Sequence, residues 1–196
     1  MKAFIDRLNA GMDLNAGDIG VAVALLLSDT TDDSEKVDFL AALHRKGESV
    51  EEIVSFVQQL IDRAVDPLID AKNLSGPMID VCGTGGDGLD LFNVSTTIMF
   101  ILAAGGAVVV KHGNRMVTSR CGSADVLEAL GAPIDLPPAH LRECVQRLGL
   151  CFIFARQYNP AFRAVAETRR RLAREISERF LVCSARSSIP RGRRAN

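Results

Sequence analysis

An apolar segment that runs directly into a glycine-rich turn constrains the fold of this chain most. Residues 78–81 are apolar apart from Asp80, and three of the four residues at 83–86 are glycine. A turn with so few side chains can wrap closely around an oxyanion and offer it backbone N–H groups. Asp87 closes the turn, and we expect its carboxylate to accept a hydrogen bond from a sugar hydroxyl or to hold the loop in its conformation. The pattern fits either a phosphate-binding turn or an ordinary strand-to-helix turn.

Strand and helix patterns alternate from this segment onward. The predicted strands cover residues 78–82, 107–110 and 151–155, and the predicted helices cover 93–104, 123–130, 138–148 and 160–174. Continuous apolar strands separated by helices predict a parallel sheet that is covered on both faces. The fold class is therefore α/β in this part of the chain.

The first 72 residues have only helical patterns. Apolar positions recur over 18–27 and 33–45, and Ser49 and Glu52 have the spacing of a capping box. We expect a small all-helical N-terminal domain at 1–72, the first half of an α/β domain at 73–176, and a disordered tail at 177–196.

Composition narrows the class of protein. The 196 residues are 47% hydrophobic and 24% charged, which is typical of a globular protein. The five cysteines are odd in number and form no metal-ligand spacing, which predicts reduced thiols in a cytoplasmic protein rather than a zinc site. No apolar run is long enough for a membrane span, and the first residues are no signal peptide. Residues 169–196 contain nine Arg and two Glu, but Phe180 is the one aromatic residue among them, so we expect no nucleic-acid partner.

Two polar clusters follow the glycine-rich turn. Asn93, Ser95 and Thr96 stand where a helix begins, and their side chains at the positive helix end suit a pyrophosphate and its Mg²⁺. Helix capping is the simpler interpretation of Asn93. Lys111 and Arg115 mark the second cluster, at the carboxyl end of a predicted strand, where open α/β sheets bind ligands.

This second cluster has simpler interpretations too. Lys111 and Arg115 could lie in a solvated loop, and His112 could be a structural histidine. Ser119 and Ser123 could extend a phosphate-binding site, although Ser123 could instead cap the next helix.

Together these motifs resemble the anthranilate phosphoribosyltransferases, the tryptophan-biosynthesis members of glycosyltransferase family 3. The resemblance covers about residues 1–175 and rests on Gly-Thr-Gly-Gly-Asp, Asn-x-Ser-Thr and Lys-His-Gly-Asn-Arg in that order. It implies an α/β phosphoribosyl-binding domain and a homodimer formed through the helical domain. It also implies transfer of the 5-phosphoribosyl group from phosphoribosyl pyrophosphate to anthranilate, with Mg²⁺ as cofactor.

Site residues follow from the same resemblance, and they include no catalytic nucleophile or base. Anthranilate would meet Gly83, Asn114 and Arg169, and Ser95 would bind one Mg²⁺. The residues implied for phosphoribosyl pyrophosphate are Gly83, Gly86, Asp87, Asn93, Ser95, Thr96, Lys111, His112, Gly113, Asn114, Arg115, Ser119 and Ser123. Two positions depart from the family pattern: Leu91 replaces a usual Thr near the diphosphate, and Asn159 replaces a His.

The last twenty residues do not resemble the family, whose members continue into a second half that carries a Mg²⁺-binding Asp-Glu pair. Synonymous codons for 178–193, read from each third base, can encode Thr-Ile-Phe-Ser-Leu-Leu-Gly-Pro-Leu-Leu-Asn-Pro-Ala-Arg-Pro, which matches the family's continuation. This predicts a truncated or frameshifted chain, with the change of frame near Ile176 and negligible activity. The alternatives are an enzyme like a pyrimidine-nucleoside phosphorylase and a non-catalytic dimerising remnant.

Overall fold

The computed structural model describes residues 1–83, 92–116, 121–164 and 168. These residues divide into two compact units. The first contains Met1–Arg63 and the described residues from Asn159 onward, and the second contains Ala64–Tyr158. The boundaries expected from the sequence at residues 72 and 176 stay predictions, and the tail at 177–196 lies outside the described residues.

The first unit is helical, as the sequence predicts. Its helices are α1 (Lys2–Asn9), α2 (Ala16–Leu27), α3 (Asp33–Lys46) and α4 (Val50–Ile61). A short helix at Pro160–Ala164 packs on the same core. Ser49 accepts from the N–H of Glu52, and the Glu52 carboxylate accepts from the N–H of Ser49, so the capping box is confirmed.

A buried ion pair joins the loops of this unit. Glu52 is fully buried and accepts from Lys46 Nζ at 2.7 Å and from the N–H of Leu14 at 2.9 Å. Burial alone would raise the pKa of Glu52, but these hydrogen bonds outweigh it and lower the pKa. The carboxylate therefore links the loop before α2 to the segment between α3 and α4.

The second unit is built on a parallel sheet, which confirms the predicted fold class. The strands β1 (Met78–Ile79), β2 (Val108–Gly113) and β3 (Leu150–Phe154) are ordered β1-β2-β3. The helices of this unit are α5 (Val94–Ala104), α6 (Ser123–Ala129), α7 (Pro138–Leu148) and α8 (Ala155–Tyr158), and a 3₁₀ turn forms at Ala71–Asn73.

Helices cover the sheet on both faces. Val108 and Val110 of β2 pack with Leu141 and Val145 of α7, whereas Val109 packs in a separate cluster. That second cluster contains residues of α5, α6 and β3, among them Met99, Leu127 and Phe152. Successive residues of a strand point to opposite faces, so β2 supplies both cores.

The structure corrects several element boundaries. β1 is only two residues long where 78–82 was expected, and β2 continues to Gly113 instead of ending at residue 110. The extension forms because Lys111, His112 and Gly113 pair with Phe152, Ile153 and Phe154 of β3. The backbone can form this ladder whatever the polarity of its side chains.

The end of β3 was also predicted wrongly. Ala155 begins α8, a helix that the sequence pattern did not reveal. The helix expected at 160–174 is described only at Pro160–Ala164. Among the described residues, no helix combines the length and the hydropathy that a membrane crossing needs.

Candidate functional site

Lys111 lies at the centre of the candidate site. Its Nζ donates to the backbone oxygen of Val81 at 3.1 Å and to Ser95 Oγ at 3.0 Å. Lys111 as a whole is 1% exposed. Burial lowers the pKa of Lys111, and the nearby Cys82 and Asp80 offset only part of that shift. The lysine thus joins the segment leading into the glycine-rich turn to the first turn of α5. The basic cluster of Lys111 and the hydroxyl cluster of Ser95 are therefore in direct contact.

The first turn of α5 offers a second polar group beside this lysine. Thr96 is 2% exposed, and its Oγ1 has no hydrogen-bond partner in the described part of the chain. A buried hydroxyl of this kind usually has a partner, which can be a ligand or a water molecule. Its position in the first turn places it at the positive end of the helix dipole.

Asn93 occupies the N-cap position of α5, as the capping interpretation expects, but its side chain makes no capping hydrogen bond. Its Nδ2 instead donates to the backbone oxygen of Cys121 at 3.2 Å. Asn93 therefore ties the start of α5 to the segment that follows β2.

His112 lies on the other face of β2 from Lys111. Lys111 contacts Ser95 of α5, and the alternation along the strand directs His112 toward the cluster that contains Val108, Val110 and residues of α7. His112 is 1% exposed, and burial together with the charge of Lys111 lowers its pKa to about 4. The imidazole is therefore neutral near neutral pH.

Arg115 pairs with two acidic residues of α6. Its guanidinium donates to both carboxylate oxygens of Glu128, lies 3.5 Å from Asp125 Oδ1, and stands over the ring of Phe154 at 5.8 Å. The hydrogen bonds to Glu128 raise the pKa of Arg115. This cation is thus held by protein groups at the place where the sequence predicts a substrate contact.

Asp125 and Glu128 are the residues that sequence reasoning missed. Asp125 Oδ2 accepts from the N–H groups of Met116 and Gly122, each at 2.8 Å. The helix begins after Gly122, so the alternative that Ser123 caps it is wrong. An acidic residue three positions after a helix N-cap is a recognised start signal, and it could have drawn attention to Asp125.

Several predicted contacts lie outside the described residues, namely Gly86, Asp87, Ser119 and Arg169, as does the variant position Leu91. Gly83 is described and exposed, and a Cβ added there would meet no described atom within 4 Å. Asn159 is buried in the first unit, where its Oδ1 accepts from the N–H of Ala161 at 3.1 Å.

The described residues do not by themselves fit a Mg²⁺ site. They contain no group of three or more His, Cys, Asp or Glu side chains able to hold a metal ion. Ser95 Oγ, the predicted metal ligand, already accepts from the Lys111 ammonium, whose charge would repel a dication. Magnesium prefers an octahedron of oxygen ligands, and one hydroxyl supplies a single position of it.

Two family patterns match the chain. The glycosyl transferase family helical bundle domain matches residues 2–64, and the glycosyl transferase family a/b domain matches residues 75–176. The second match ends where the sequence predicts the change of reading frame.

Three relatives illustrate these matches. An anthranilate phosphoribosyltransferase of Persephonella marina is 44% identical over 173 residues, covering 88% of this chain and 50% of the relative. The crystal structure of anthranilate phosphoribosyltransferase from Thermus thermophilus has a TM-score of 0.76 at 34% identity, covering 93% of this chain and 54% of that one. Anthranilate phosphoribosyltransferase from Saccharomyces cerevisiae in complex with PRPP and Mg has a TM-score of 0.75 at 21% identity, covering 94% of this chain and 53% of that one. At this identity the likeness shows the fold alone. The chain spans about half the length of these relatives.

Proposed function

Because the chain belongs to the glycosyl transferase family, we propose that it carries the phosphoribosyl pyrophosphate site of an anthranilate phosphoribosyltransferase. The reaction of the whole protein would transfer the 5-phosphoribosyl group to the amine of anthranilate, giving N-(5-phosphoribosyl)anthranilate and pyrophosphate. The observation that supports this most is the contact of Lys111 with both Val81 and Ser95. It brings one cation and a helix N-terminus to the start of the glycine-rich turn.

The charges of this site suit a phosphorylated ligand. A buried ammonium, the N-terminus of α5 and the Thr96 hydroxyl are all groups that interact favourably with anionic oxygens. An arriving phosphate would also favour the charged form of Lys111, whose pKa burial lowers in the free chain. Binding of phosphate and protonation of this lysine should therefore support each other.

The transfer itself requires little covalent chemistry from the protein. The bond between ribose C1 and the pyrophosphate oxygen breaks with its electrons passing to oxygen, C1 bonds to the amine nitrogen, and that nitrogen loses a proton. The protein would position the amine and stabilise the departing pyrophosphate. Mg²⁺ would be held by the phosphate oxygens of the substrate, because Ser95, the metal ligand that the sequence predicts, already accepts a hydrogen bond from Lys111.

Calorimetric titration of the chain with phosphoribosyl pyrophosphate tests the site. The wild-type chain should bind it, Lys111→Met should weaken binding by at least about tenfold, as loss of one charge-assisted contact implies, and Lys72→Met should leave it unchanged. Lys72 is the matched control because it is exposed and lies in the same unit.

Two further arms separate this proposal from the alternatives. Anthranilate should bind only to the form loaded with phosphoribosyl pyrophosphate, whereas a nucleoside phosphorylase should bind a pyrimidine nucleoside in the presence of phosphate. A wild-type chain that binds none of these ligands, or binding that falls equally in both lysine variants, would contradict the proposal.

A further inference from the structure

The side of α5 that points away from the sheet is apolar and yet exposed. Val94, Ile98 and Ile101 recur at the spacing of one helix face, and all three are exposed to solvent. Phe100 is exposed as well and lies at the edge of this face. Met99, on the opposite side of the helix, is buried in the core beside the sheet. Val94, Ile98, Phe100 and Ile101 together form the outer face of α5.

The composition of α5 is that of a helix enclosed by protein. Its sequence, VSTTIMFILAA, contains no charged residue, whereas α6 and α7 turn charged residues such as Glu128 and Arg147 to the solvent. A helix that is apolar on all sides is normally buried on all sides, and a continuous exposed apolar patch is typical of a surface that another polypeptide covers. The outer face of α5 is therefore a packing surface that no described residue covers.

The sheet indicates what kind of polypeptide fits this surface. The residues of β3 from Cys151 to Phe154 are apolar and buried, a pattern typical of a strand inside a parallel sheet. In the described part of the chain, however, β3 pairs with β2 alone and stands at the edge of the sheet. This unit thus has the surfaces of a larger α/β domain.

The relatives contain enough chain to complete such a domain. The match covers 50% of the Persephonella marina relative and 54% of the Thermus thermophilus structure, so about half of each polypeptide lies beyond it. The elements of an α/β domain pack around one shared core. The second half of these relatives is therefore the polypeptide whose size and fold suit the outer face of α5.

We propose that the outer face of α5 is a docking surface for the second half of an anthranilate phosphoribosyltransferase, and that it binds this half even when the two are separate polypeptides. Removal of its apolar side chains from water drives the association. The inference depends on the exposed residues and on the family of the chain. It does not depend on the ligand proposed above, so the two proposals can fail independently.

A second copy of this chain is the alternative occupant, because an apolar face can also pack against its own copy. In that case the chain alone would form a dimer through α5. Sedimentation velocity of the chain alone, over a range of concentrations, measures this self-association before any partner is added.

The experiment uses the second half of the Persephonella marina relative, that is, the part that this chain does not match. This half is co-expressed with the full chain and purified through a tag on the half. The wild-type chain should be retained in a one-to-one complex, and sedimentation velocity on dilution should give its dissociation constant. Ile101→Lys places a charge in the contact and should raise that constant at least about tenfold.

Leu148 supplies the matched control. Leu148 and Ile101 are each 63% exposed and lie in the last turn of their helices, but α7 covers the opposite face of the sheet from α5. A lysine in the last turn interacts favourably with the helix dipole, so both variants should stay folded, which the near-ultraviolet signal of Tyr158 checks. Leu148→Lys should keep the dissociation constant of the wild-type complex.

The outcomes are decisive in each arm. Absence of a complex with the wild-type chain, or equal dissociation constants for Ile101→Lys and Leu148→Lys, would overturn the inference. Self-association that Ile101→Lys abolishes and the second half does not displace would also overturn it, in favour of a second copy. If Ile101→Lys does not fold, Ile101→Ser decides, and wild-type affinity in that variant overturns the inference. A complex that forms but binds no phosphoribosyl pyrophosphate would contradict the proposed function alone.

Discussion

Acidification should destabilise the α/β unit through His112, and the size of the effect follows from its pKa. Burial lowers the pKa of this histidine from 6.5 to about 4. Between these two values the unfolded chain binds a proton that the folded chain does not, so stability falls as the pH falls. The whole difference amounts to about 3 kcal/mol at low pH, of which about 1 kcal/mol is lost between about pH 7 and about pH 5.5.

The chain carries its own reporter for this measurement. It contains no Trp and one Tyr, and Tyr158 is buried in the α/β unit, where its hydroxyl donates to the backbone oxygen of Leu136 at 2.7 Å. Urea unfolding followed by the near-ultraviolet signal of Tyr158 at these two pH values gives the change in free energy of unfolding. The measurement uses the range from about pH 7 to about pH 5.5 because most carboxylates stay ionised throughout this range.

The other two histidines supply matched controls. His44 and His140 are exposed, whereas His112 is 1% exposed. His112→Gln should remove about 1 kcal/mol of pH dependence, and His44→Gln and His140→Gln should leave the dependence nearly as in the wild-type chain. An unchanged pH slope in His112→Gln, or a His112 imidazole resonance that titrates near pH 6.5 in the folded chain, would refute the reasoning.

Two further predictions concern a buried charge and a close backbone contact. Glu52→Gln should lower the free energy of unfolding of the helical unit by about 1.5 to 3 kcal/mol, because it removes a buried charged hydrogen bond while Asp13 still partners Lys46. Glu143→Gln breaks an exposed pair and should cost at most about 0.5 kcal/mol. Far-ultraviolet circular dichroism in urea measures both losses, and equal losses would contradict the distinction. Gly113→Ala would place a Cβ 2.7 Å from the ring of Phe152 and should destabilise the α/β unit by about 1 to 3 kcal/mol. Gly83→Ala should leave the stability of this unit unchanged. Urea unfolding followed by the Tyr158 signal measures both variants, and equal unfolding midpoints would contradict the prediction.

Local signals in the sequence predict the helical unit well because its helices depend on nearby residues. The capping box of Ser49 and Glu52 lies within four residues, and Asn15 makes the same arrangement with Asp18 before α2. The sequence did not reveal that Glu52 would also be fully buried against Lys46 and the N–H of Leu14. That contact joins residues 38 positions apart, so no local pattern contains it.

Strand ends were predicted less well because strand length depends on the partner strand. β2 ends at Gly113 rather than at residue 110, since β3 offers hydrogen-bonding groups as far as Phe154. Residue polarity suggested a loop from Lys111 onward, but backbone pairing is independent of side-chain charge, and helices that cover both faces bury the polar residues with the strand.

The longer strand changes how the basic motif can act. Sequence reasoning placed Lys111 and His112 in one loop and expected both to reach the same ligand. In a strand their side chains point to opposite faces, and the contacts agree, because Lys111 meets Ser95 of α5 whereas Val108 and Val110, which share the face of His112, pack against α7. The two residues therefore contribute differently to the site. Lys111 offers its charge to the phosphates beside α5, and His112 stays neutral on the opposite face of β2, within the core that packs against α7. A ligand at the start of α5 would meet the lysine directly and depend on the histidine only through the position of β2.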